Sequence, residues 1–189
     1  MLEALSKLDG QLFLFLNGIH SPIFDIIMWY ASNIVIWIPL YFWFLWLLYK
    51  EYSDDYWKVL LMAVALIVIT DQTANLAKQG FERLRPSHNP AFTDLLHIMN
   101  DYRGGTYGYF SGHATSSFAV ATFVSLMVGR RWKYVLFVAF AYALLVSYSR
   151  IYLGVHYPGD VLTGALFGSF SAFLMVLLFR YLRKQKPMQ

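Results

Sequence analysis

Residues 57–77 read WKVLLMAVALIVITDQTANLA, and every side chain from Val59 to Ile69 is apolar. A bilayer core of about 30 Å is crossed by roughly 20 predominantly apolar residues in a helix. The stretch therefore predicts a transmembrane helix. It also holds Asp71 at depth, and carboxylates inside a membrane are costly and usually mark a functional site or a buried partner.

The composition of the whole chain agrees with a membrane protein. Of 189 residues, 58% are hydrophobic and 14% are charged, whereas a soluble domain carries about 25% charged residues. An aromatic content of 19% excludes an intrinsically disordered chain. The absence of cysteine excludes a disulfide scaffold, a cysteine-based zinc site and a thiol nucleophile.

Further apolar stretches of suitable length predict more helices that cross the membrane. We therefore predict an all-α, polytopic transmembrane helix bundle, and the lack of any linker predicts a single domain over residues 1–189. The five predicted spans are Ile23–Tyr49, Trp57–Ala77, His113–Val128, Lys133–Tyr148 and Asp160–Phe179.

Residues 1–20 have a different pattern. Leu5, Leu8, Leu12 and Leu16 recur at helical spacing, with polar residues between them, which predicts an amphipathic helix in the membrane interface. The alternative is a short additional span, so the bundle has five to six spans.

The distribution of Lys and Arg predicts the orientation. Five spans place nine basic residues, among them Arg130, Arg131 and the C-terminal Arg180–Lys186, on one side and six on the other. The side richer in Lys and Arg is expected to be cytoplasmic. The net charge of +4 therefore reflects topology and a site at the outer face, and we predict no nucleic-acid partner.

Three polar clusters lie at helix ends that this topology brings to the outer face. They are Lys78–Pro86, Ser111–His113 and Ser149–Asp160. Their cations suit a phosphate, because an arginine binds two oxygens with parallel N–H groups and a lysine acts as a point charge. The free N–H groups at a helix beginning with Ser111-Gly112 favour an anion as well.

His113 and His156 are the titratable groups of these clusters near neutral pH. Asp160 follows His156 by four residues, and a carboxylate bonded to one imidazole nitrogen leaves the other free to attack. Each residue alone also has a structural explanation: Lys78 and Arg85 as interfacial cations, Ser111 as a helix cap, and Asp160 as a first-turn partner of the helix dipole. Their combination on one face favours chemistry.

The pattern Lys-x6-Arg-Pro, Ser-Gly-His and Ser-Arg-x5-His-x3-Asp resembles the three-block signature of the type-2 phosphatidic acid phosphatase superfamily. The resemblance covers residues 71–160 and departs at Phe110, where the family often has proline. It implies a nucleophilic His156 that forms a phosphohistidine, an orienting Asp160, His113 as the acid, and no metal or other cofactor. The residues that it implies for phosphate binding are Lys78, Arg85, Ser111, Gly112 and Arg150.

Three further residues are candidates for supporting roles. Asp71 shares a helix face with Lys78 and is expected to pair with a cation or the backbone, with direct contact to the substrate as the alternative. Arg83 and Arg103, in the long loop before Ser111, are candidates for contacting a second phosphate or another part of a headgroup. The same loop is expected to contain a short surface helix around Phe92–Met99.

The resemblance implies a lipid phosphatase of the bacterial inner membrane, and the distribution of Lys and Arg predicts a site facing the periplasm and a cytoplasmic C-terminus. Among its partners, a lipid phosphate fits an embedded chain, and Asp71-Gln72 with Tyr107-Gly-x-x-Ser-x-His resembles small undecaprenyl pyrophosphate phosphatases. Phosphatidylglycerol phosphate, phosphatidic acid and lipid A phosphates are the alternatives. A phospholipid-binding transporter is a different class, and the paired histidines argue against it.

Overall fold

A computed structural model describes residues 2–184, and their regular structure is helical, which confirms the predicted fold class. A single isolated bridge between Leu84 and Tyr107 is the sole strand-like pairing within residues 2–184. Short 3-10 turns occupy Ile34–Trp37, Ser53–Asp55, Pro86–His88 and Pro90–Phe92. The α-helices are α1 (Leu2–Asn17), α2 (Pro22–Ala31), α3 (Ile38–Glu51), α4 (Tyr56–Phe81), α5 (Gly112–Val128), α6 (Tyr134–Tyr152) and α7 (Pro158–Lys184).

Four segments of residues 2–184 are long and apolar enough to cross a membrane by themselves. They are Ile34–Glu51, Ser53–Phe81, Tyr134–Tyr152 and Pro158–Arg183. Three of them confirm the spans predicted from residue 57 onward. Helix α5, the remaining predicted span, is shorter, with 17 residues.

Helix α5 is the centre of the bundle. It packs against α3, α4, α6 and α7, and ten of its residues are buried, including Thr115, Ser117 and Ser125. A helix enclosed by other helices does not meet lipid, so it can carry small and polar side chains that a lipid-facing span would not. This explains how α5 can carry Thr115, Ser117 and Ser125 inside the bundle.

The prediction of one continuous span over Ile23–Tyr49 is wrong, because the chain breaks between α2 and the turn that precedes α3. Ser32 ends α2, and the Asn33 side chain accepts the N–H of Val35 to begin the next turn. The indole N–H of Trp37 donates to the carbonyl oxygen of Ala31 across the break, at 2.8 Å. These local bonds satisfy backbone groups that a continuous helix would have paired internally.

The predicted N-terminal helix is present as α1, and it bends by 117° into α2. Phe13 and Asn17 are buried, and α1 packs against α6 and α7. The Asn17 side chain donates to the carbonyl oxygen of Tyr152 at 2.7 Å and accepts the N–H of His97 at 2.9 Å. The inner side of α1 is therefore fixed to the bundle.

Two glycines allow α5 and α7 to approach closely. Gly164 and Gly168 are one helical turn apart, and a Cβ atom on Gly164 would lie 2.8 Å from the carbonyl oxygen of Ser111. Small residues with this spacing let helix backbones touch in membranes. The contact brings the start of α5 beside the start of α7, where the N–H of Ser111 donates to the carbonyl oxygen of Asp160 at 3.0 Å.

The loop of residues 82–111 folds over the ends of α4, α5, α6 and α7. The N–H of Arg85 donates to Thr106, and the N–H of Ser87 donates to Gly154, which ties the loop to the α6–α7 connection. The expected surface helix around Phe92–Met99 is absent, and a 3-10 turn at Pro90–Phe92 is followed by irregular backbone. Asn89 is the N-cap of that turn, and the residues that follow it in the loop do not continue into an α-helix.

Candidate active site

The four helix ends and the loop enclose a cavity of about 340 Å³. Most of the residues singled out in the sequence line it, whereas Ser111 and Asp160 are fully buried directly behind it. Arg83 and Arg103 are not among its lining residues. The lining includes Asp71, Lys78, Arg85, Gly112, His113, Arg150 and His156.

His156 lies in the connection between α6 and α7, which turns back on the end of α6. The turn needs Gly154, whose φ of +74° is unfavourable for other residues. The backbone N–H groups of Val155 and His156 both donate to the carbonyl oxygen of Arg150, at 3.1 and 3.2 Å. The backbone thereby fixes the imidazole relative to Arg150.

The imidazole of His156 is enclosed, with only 2% of the residue exposed. Its Nδ1 is 3.7 Å from Oδ2 of Asp160, which is beyond a hydrogen bond, and within residues 2–184 Nδ1 has no hydrogen-bond partner. The other nitrogen, Nε2, faces the cavity side and lies 3.3 Å from Nη1 of Arg85.

The charge state of His156 follows from its surroundings. Burial, and then the positive charges of Arg85, Arg150 and Lys78, hold the pKa of His156 well below its ordinary value of 6.5. The imidazole is therefore neutral at neutral pH, and one nitrogen keeps a free electron pair. A neutral imidazole is the form that can act as a nucleophile.

Asp160 is held on both carboxylate oxygens. Oδ2 accepts the backbone N–H of Tyr157 at 3.0 Å, and Oδ1 accepts Nη1 of Arg83 at 2.6 Å. These bonds compensate for the burial of the carboxylate, which is costly for an unpaired charge. They also aim Oδ2 at Nδ1 of His156.

Three cations surround the cavity without a carboxylate partner in the described part of the chain. Arg85 donates to the carbonyl oxygens of Tyr107 and Val155, and Lys78 donates to Oδ1 of Asn75 at 3.0 Å. Arg150 donates to the hydroxyl of Tyr102 at 2.9 Å. Burial lowers the pKa of Arg85, and repulsion by the charge of Arg150 lowers it further. An anion between the two guanidinium groups is therefore favoured.

The guanidinium of Arg150 has an unused donor. Its residue is 2% exposed, and its Nε lacks a hydrogen-bond partner among residues 2–184. A buried, unpaired charged donor is costly, and a phosphoryl oxygen in the cavity would satisfy it. This atom is the strongest individual indication of an anion site.

The start of α5 adds neutral donors. Ser111 is the N-cap, and its hydroxyl oxygen accepts the N–H of Ala114 at 3.4 Å. Gly112 and His113 follow as cavity-lining residues, and a Cβ atom on Gly112 would lie 3.5 Å from Nζ of Lys78. The positive end of the helix therefore points at the same space as the lysine.

Two of the supporting candidates, Arg83 and Arg103, do not line the cavity. Arg103 is directed away from the cavity, because its guanidinium donates to Asp101 and to the carbonyl oxygen of Ser87. Arg83 bonds to Asp160 and to Asp9. Asp71 does line the cavity, and it connects to Lys78 through Asn75, whose amide donates to Oδ2 of Asp71 at 3.2 Å.

Several contributors to the site were not predicted from the sequence. Tyr102 touches Arg150 from a loop that carries no motif. Asp9 lies on the polar side of α1. The amphipathic pattern predicted a polar side but did not indicate that Asp9 would bond to Arg83. Trp37, Tyr41 and Tyr142 also line the cavity, and no motif in the sequence marks them.

The comparison with known families decides the identity of this arrangement. The sequence pattern of the PAP2 superfamily matches residues 55–184. The chain belongs to the PAP2 superfamily. The match includes all three clusters and the helices that carry them, which confirms the resemblance.

Individual relatives agree with this assignment. Lipid A 4'-phosphatases of Bacteroides thetaiotaomicron and Porphyromonas gingivalis are 42% and 32% identical, over 94% and 97% of this chain and 80% and 78% of theirs. An undecaprenyl-diphosphatase of Sulfolobus acidocaldarius is 35% identical over 63% of this chain and 54% of its own. The chain is therefore an integral membrane lipid phosphatase, a metal-independent phosphoric monoester hydrolase of a bacterial membrane.

Two solved structures share the fold. A transmembrane PAP2-type phosphatidylglycerolphosphate phosphatase from Bacillus subtilis matches with a TM-score of 0.71 at 22% identity, over 98% of this chain and 90% of its own. Aquifex aeolicus LpxE matches with a TM-score of 0.64 at 26% identity, over 88% of this chain and 93% of its own. Both support the bundle arrangement described above.

Proposed function

We propose that the protein removes the 4'-phosphate of a lipid A-type glycolipid, through a phosphohistidine on His156. The observation that carries the choice of lipid is the extent of similarity. The two lipid A 4'-phosphatases align with more than nine-tenths of this chain, whereas the undecaprenyl-diphosphatase aligns with 63%. The comparisons thus favour an alternative considered from the sequence over the undecaprenyl pyrophosphate expected first.

The cations of the cavity support the binding of a phosphate monoester. Arg85, Arg150 and Lys78 face one space together with the positive end of α5. A phosphate there would accept the unpaired Nε–H of Arg150 and draw the guanidinium of Arg85 away from Nε2 of His156. Substrate binding would thereby free the nucleophile.

The chemistry that we propose has two steps. In the first, the electron pair of His156 Nε2 forms a bond to phosphorus while the bond from phosphorus to the lipid oxygen breaks, and His113 gives that oxygen a proton. Asp160 stabilises the imidazolium through Nδ1–H. In the second, His113 takes a proton from water as the water oxygen bonds to phosphorus, the N–P bond breaks, and phosphate leaves.

A second, apolar cavity supports a lipid substrate. It has a volume of about 430 Å³, lies between α3, α4 and α5, and is lined by residues such as Phe44, Leu48 and Phe123. Asp71, Ser116 and Tyr142 line both cavities. A molecule with its phosphate at the cations can therefore extend an acyl chain into apolar surroundings.

The lining of the polar cavity also contains side chains that suit a sugar ring. Trp37, Tyr41 and Tyr142 line the cavity together with Ser116 and Ser117, and the hydroxyls of Tyr41 and Tyr142 are 2.7 Å apart. Aromatic faces beside hydroxyl groups match a sugar ring, which has apolar C–H faces and polar edges.

The test is a comparison of phosphate release by purified protein in detergent micelles. We expect lipid A to be the fastest substrate, ahead of undecaprenyl pyrophosphate, phosphatidylglycerol phosphate and phosphatidic acid, and mass spectrometry of the product to show loss at the 4' position. His156→Ala is the control and should abolish release. A rate on undecaprenyl pyrophosphate that exceeds the rate on lipid A would overturn the choice of lipid, and release that persists in His156→Ala would overturn the nucleophile.

A further inference from the structure

Arg83 joins the catalytic carboxylate to the N-terminal helix. Its Nη1 donates to Oδ1 of Asp160 at 2.6 Å, and its Nη2 donates to Oδ2 of Asp9 at 2.7 Å. The other oxygen of Asp9 accepts the backbone N–H of Gly159 at 2.8 Å. Asp9 therefore holds both the arginine and the first turn of α7, where Asp160 is located.

The two ion pairs that Arg83 makes with Asp9 and Asp160 are largely buried, and their geometry is fixed. The Asp160 side chain is completely buried, and the side chains of Asp9 and Arg83 are 16% and 27% exposed. The guanidinium lies over the ring of Tyr157 at 4.0 Å from its centre, so its plane is fixed as well as its ends. A planar fork can bond two carboxylates at once, which the point charge of a lysine cannot reproduce.

The two neighbouring carboxylates stabilise the positive charge of Arg83. Burial alone lowers the pKa of Arg83, but the carboxylates of Asp160 and Asp9 outweigh it and raise the pKa above its ordinary value. The arginine is therefore a permanent cation between two carboxylates. Without it, the buried Asp160 would lose the hydrogen-bonded cation on Oδ1 that sets its rotamer.

The arginine is not available to a headgroup. Arg83 is absent from the residues that line either the polar cavity or the apolar cavity, and Nη1, Nη2 and the guanidinium face are each in contact with another residue. Arg83 instead donates to Asp160, and Oδ2 of Asp160 lies beside Nδ1 of His156. The contacts form one chain, from α1 to the nucleophile.

We propose that Asp9 and Arg83 are positioning residues for the phosphatase reaction, and that helix α1 thereby contributes to the active site. Asp9 fixes Arg83, Arg83 fixes the Asp160 carboxylate, and the carboxylate orients His156. The inference rests on the proposed role of His156 and holds for every phosphate monoester that the site accepts, because the chain of contacts lies on the side of the imidazole remote from substrate.

The test measures kcat and KM on lipid A and on phosphatidic acid for Asp9→Asn, Arg83→Gln and Arg83→Lys. Hydrogen-bond partners that orient metal-binding histidines typically affect activity by about 10–100-fold, and we expect the same range for partners that orient a nucleophilic histidine. We expect kcat to fall about tenfold in Asp9→Asn and about a hundredfold in Arg83→Gln, with Arg83→Lys between wild type and Arg83→Gln. KM should stay within about twofold of wild type for all three, since no phosphate contact is removed.

Two controls separate positioning from a structural role. Glu3→Gln makes the same chemical change as the Asp9 variant on the exposed side of α1 and should leave kcat unchanged. The double variant Asp9→Asn with Arg83→Gln should lose little more than Arg83→Gln alone, because the two residues act through one carboxylate. Unfolding temperatures of all variants in detergent show whether lost activity follows lost folded protein.

The outcomes are distinct. A kcat for Asp9→Asn within twofold of wild type, a loss that multiplies fully in the double variant, or a loss that equals the fraction unfolded would overturn the inference. If His156→Ala is inactive while Asp9→Asn behaves as wild type, the inference fails and the proposed function stands. If the wild-type protein releases no phosphate from any lipid, both fail.

Discussion

The imidazole of His156 lies among fixed positive charges and is almost completely buried. At the scale of single residues this has a consequence for pH. An exposed histidine gains its proton near pH 6.5 and loses its nucleophilic electron pair there. Burial and the neighbouring cations hold the pKa of His156 lower, so its neutral form persists to more acidic pH.

We predict that the acid limb of kcat/KM lies below pH 6.5 for the wild-type protein and moves to higher pH in Arg85→Gln. Removal of that guanidinium takes away one of the charges that disfavour protonation, so the pKa of His156 rises toward its ordinary value. The measurement is the pH dependence of kcat/KM on one substrate, so that ionisation of the substrate is common to both proteins.

Arg103→Gln is the matched control for this experiment. Arg103 is an exposed arginine that pairs with Asp101 outside the cavity, so its loss should leave the position of the limb unchanged, because exposed charges are screened. A limb that stays in place or moves to lower pH in Arg85→Gln would contradict the assignment of the limb to His156.

At the scale of elements, the contact between α5 and α7 determines whether the site exists. Ser111, Gly112 and His113 begin one helix, and Asp160 lies in the first turn of the other. A Cβ atom on Gly168 would overlap the carbonyl oxygen of Thr115. Larger side chains at this position must push the helices apart.

We predict that Gly168→Leu destabilises the protein and lowers its activity together. Overpacking of a close contact costs about 1–3 kcal/mol, and separation of the helices would break the bond from Ser111 N–H to Asp160. Thermal unfolding in detergent and the rate of phosphate release check the two effects. Gly80→Ala is the control and should not destabilise the protein, since nothing lies within 4 Å of a Cβ atom there and alanine favours a helix. An unfolding temperature of Gly168→Leu equal to that of wild type would refute the packing argument.

The elements also show what a sequence can and cannot predict. Long apolar runs located α4, α6 and α7, because length and hydropathy are local properties. The break at Ser32-Asn33 was missed, since two small polar residues between apolar stretches are also compatible with one continuous span. The bridge from Arg83 to Asp9 joins residues 74 positions apart, and no local pattern marks such a pair. The direction of Arg103 was missed for a related reason, because competition by Asp101 depends on the folded loop.

At the scale of the whole molecule, charge is divided between two ends. The cations around the cavity lie at one end. At the other, Arg131 pairs with Glu51, and Arg183 pairs with Asp55, which shows that the ends of α3 and α7 and the starts of α4 and α6 share one side. Lys186 of the predicted basic tail lies outside the described residues, as does the side chain of Lys184. Arg130, Lys133 and Arg180 are close to these paired residues in the sequence, so the basic residues that predicted the orientation collect at the end opposite the cavity.

An excess of Lys and Arg marks the cytoplasmic side of a membrane protein, so we predict that the cavity opens to the periplasm. The chain contains no cysteine, which permits a direct measurement with single cysteines and a maleimide that cannot cross membranes. In bacterial spheroplasts, Asp101→Cys, in the exposed loop beside the cavity, should be labelled at once. Arg130→Cys, at the exposed opposite end, should be labelled only after detergent is added. The reverse pattern would place the active site in the cytoplasm, where a lipid phosphate of the outer leaflet could not reach His156 without first crossing the bilayer.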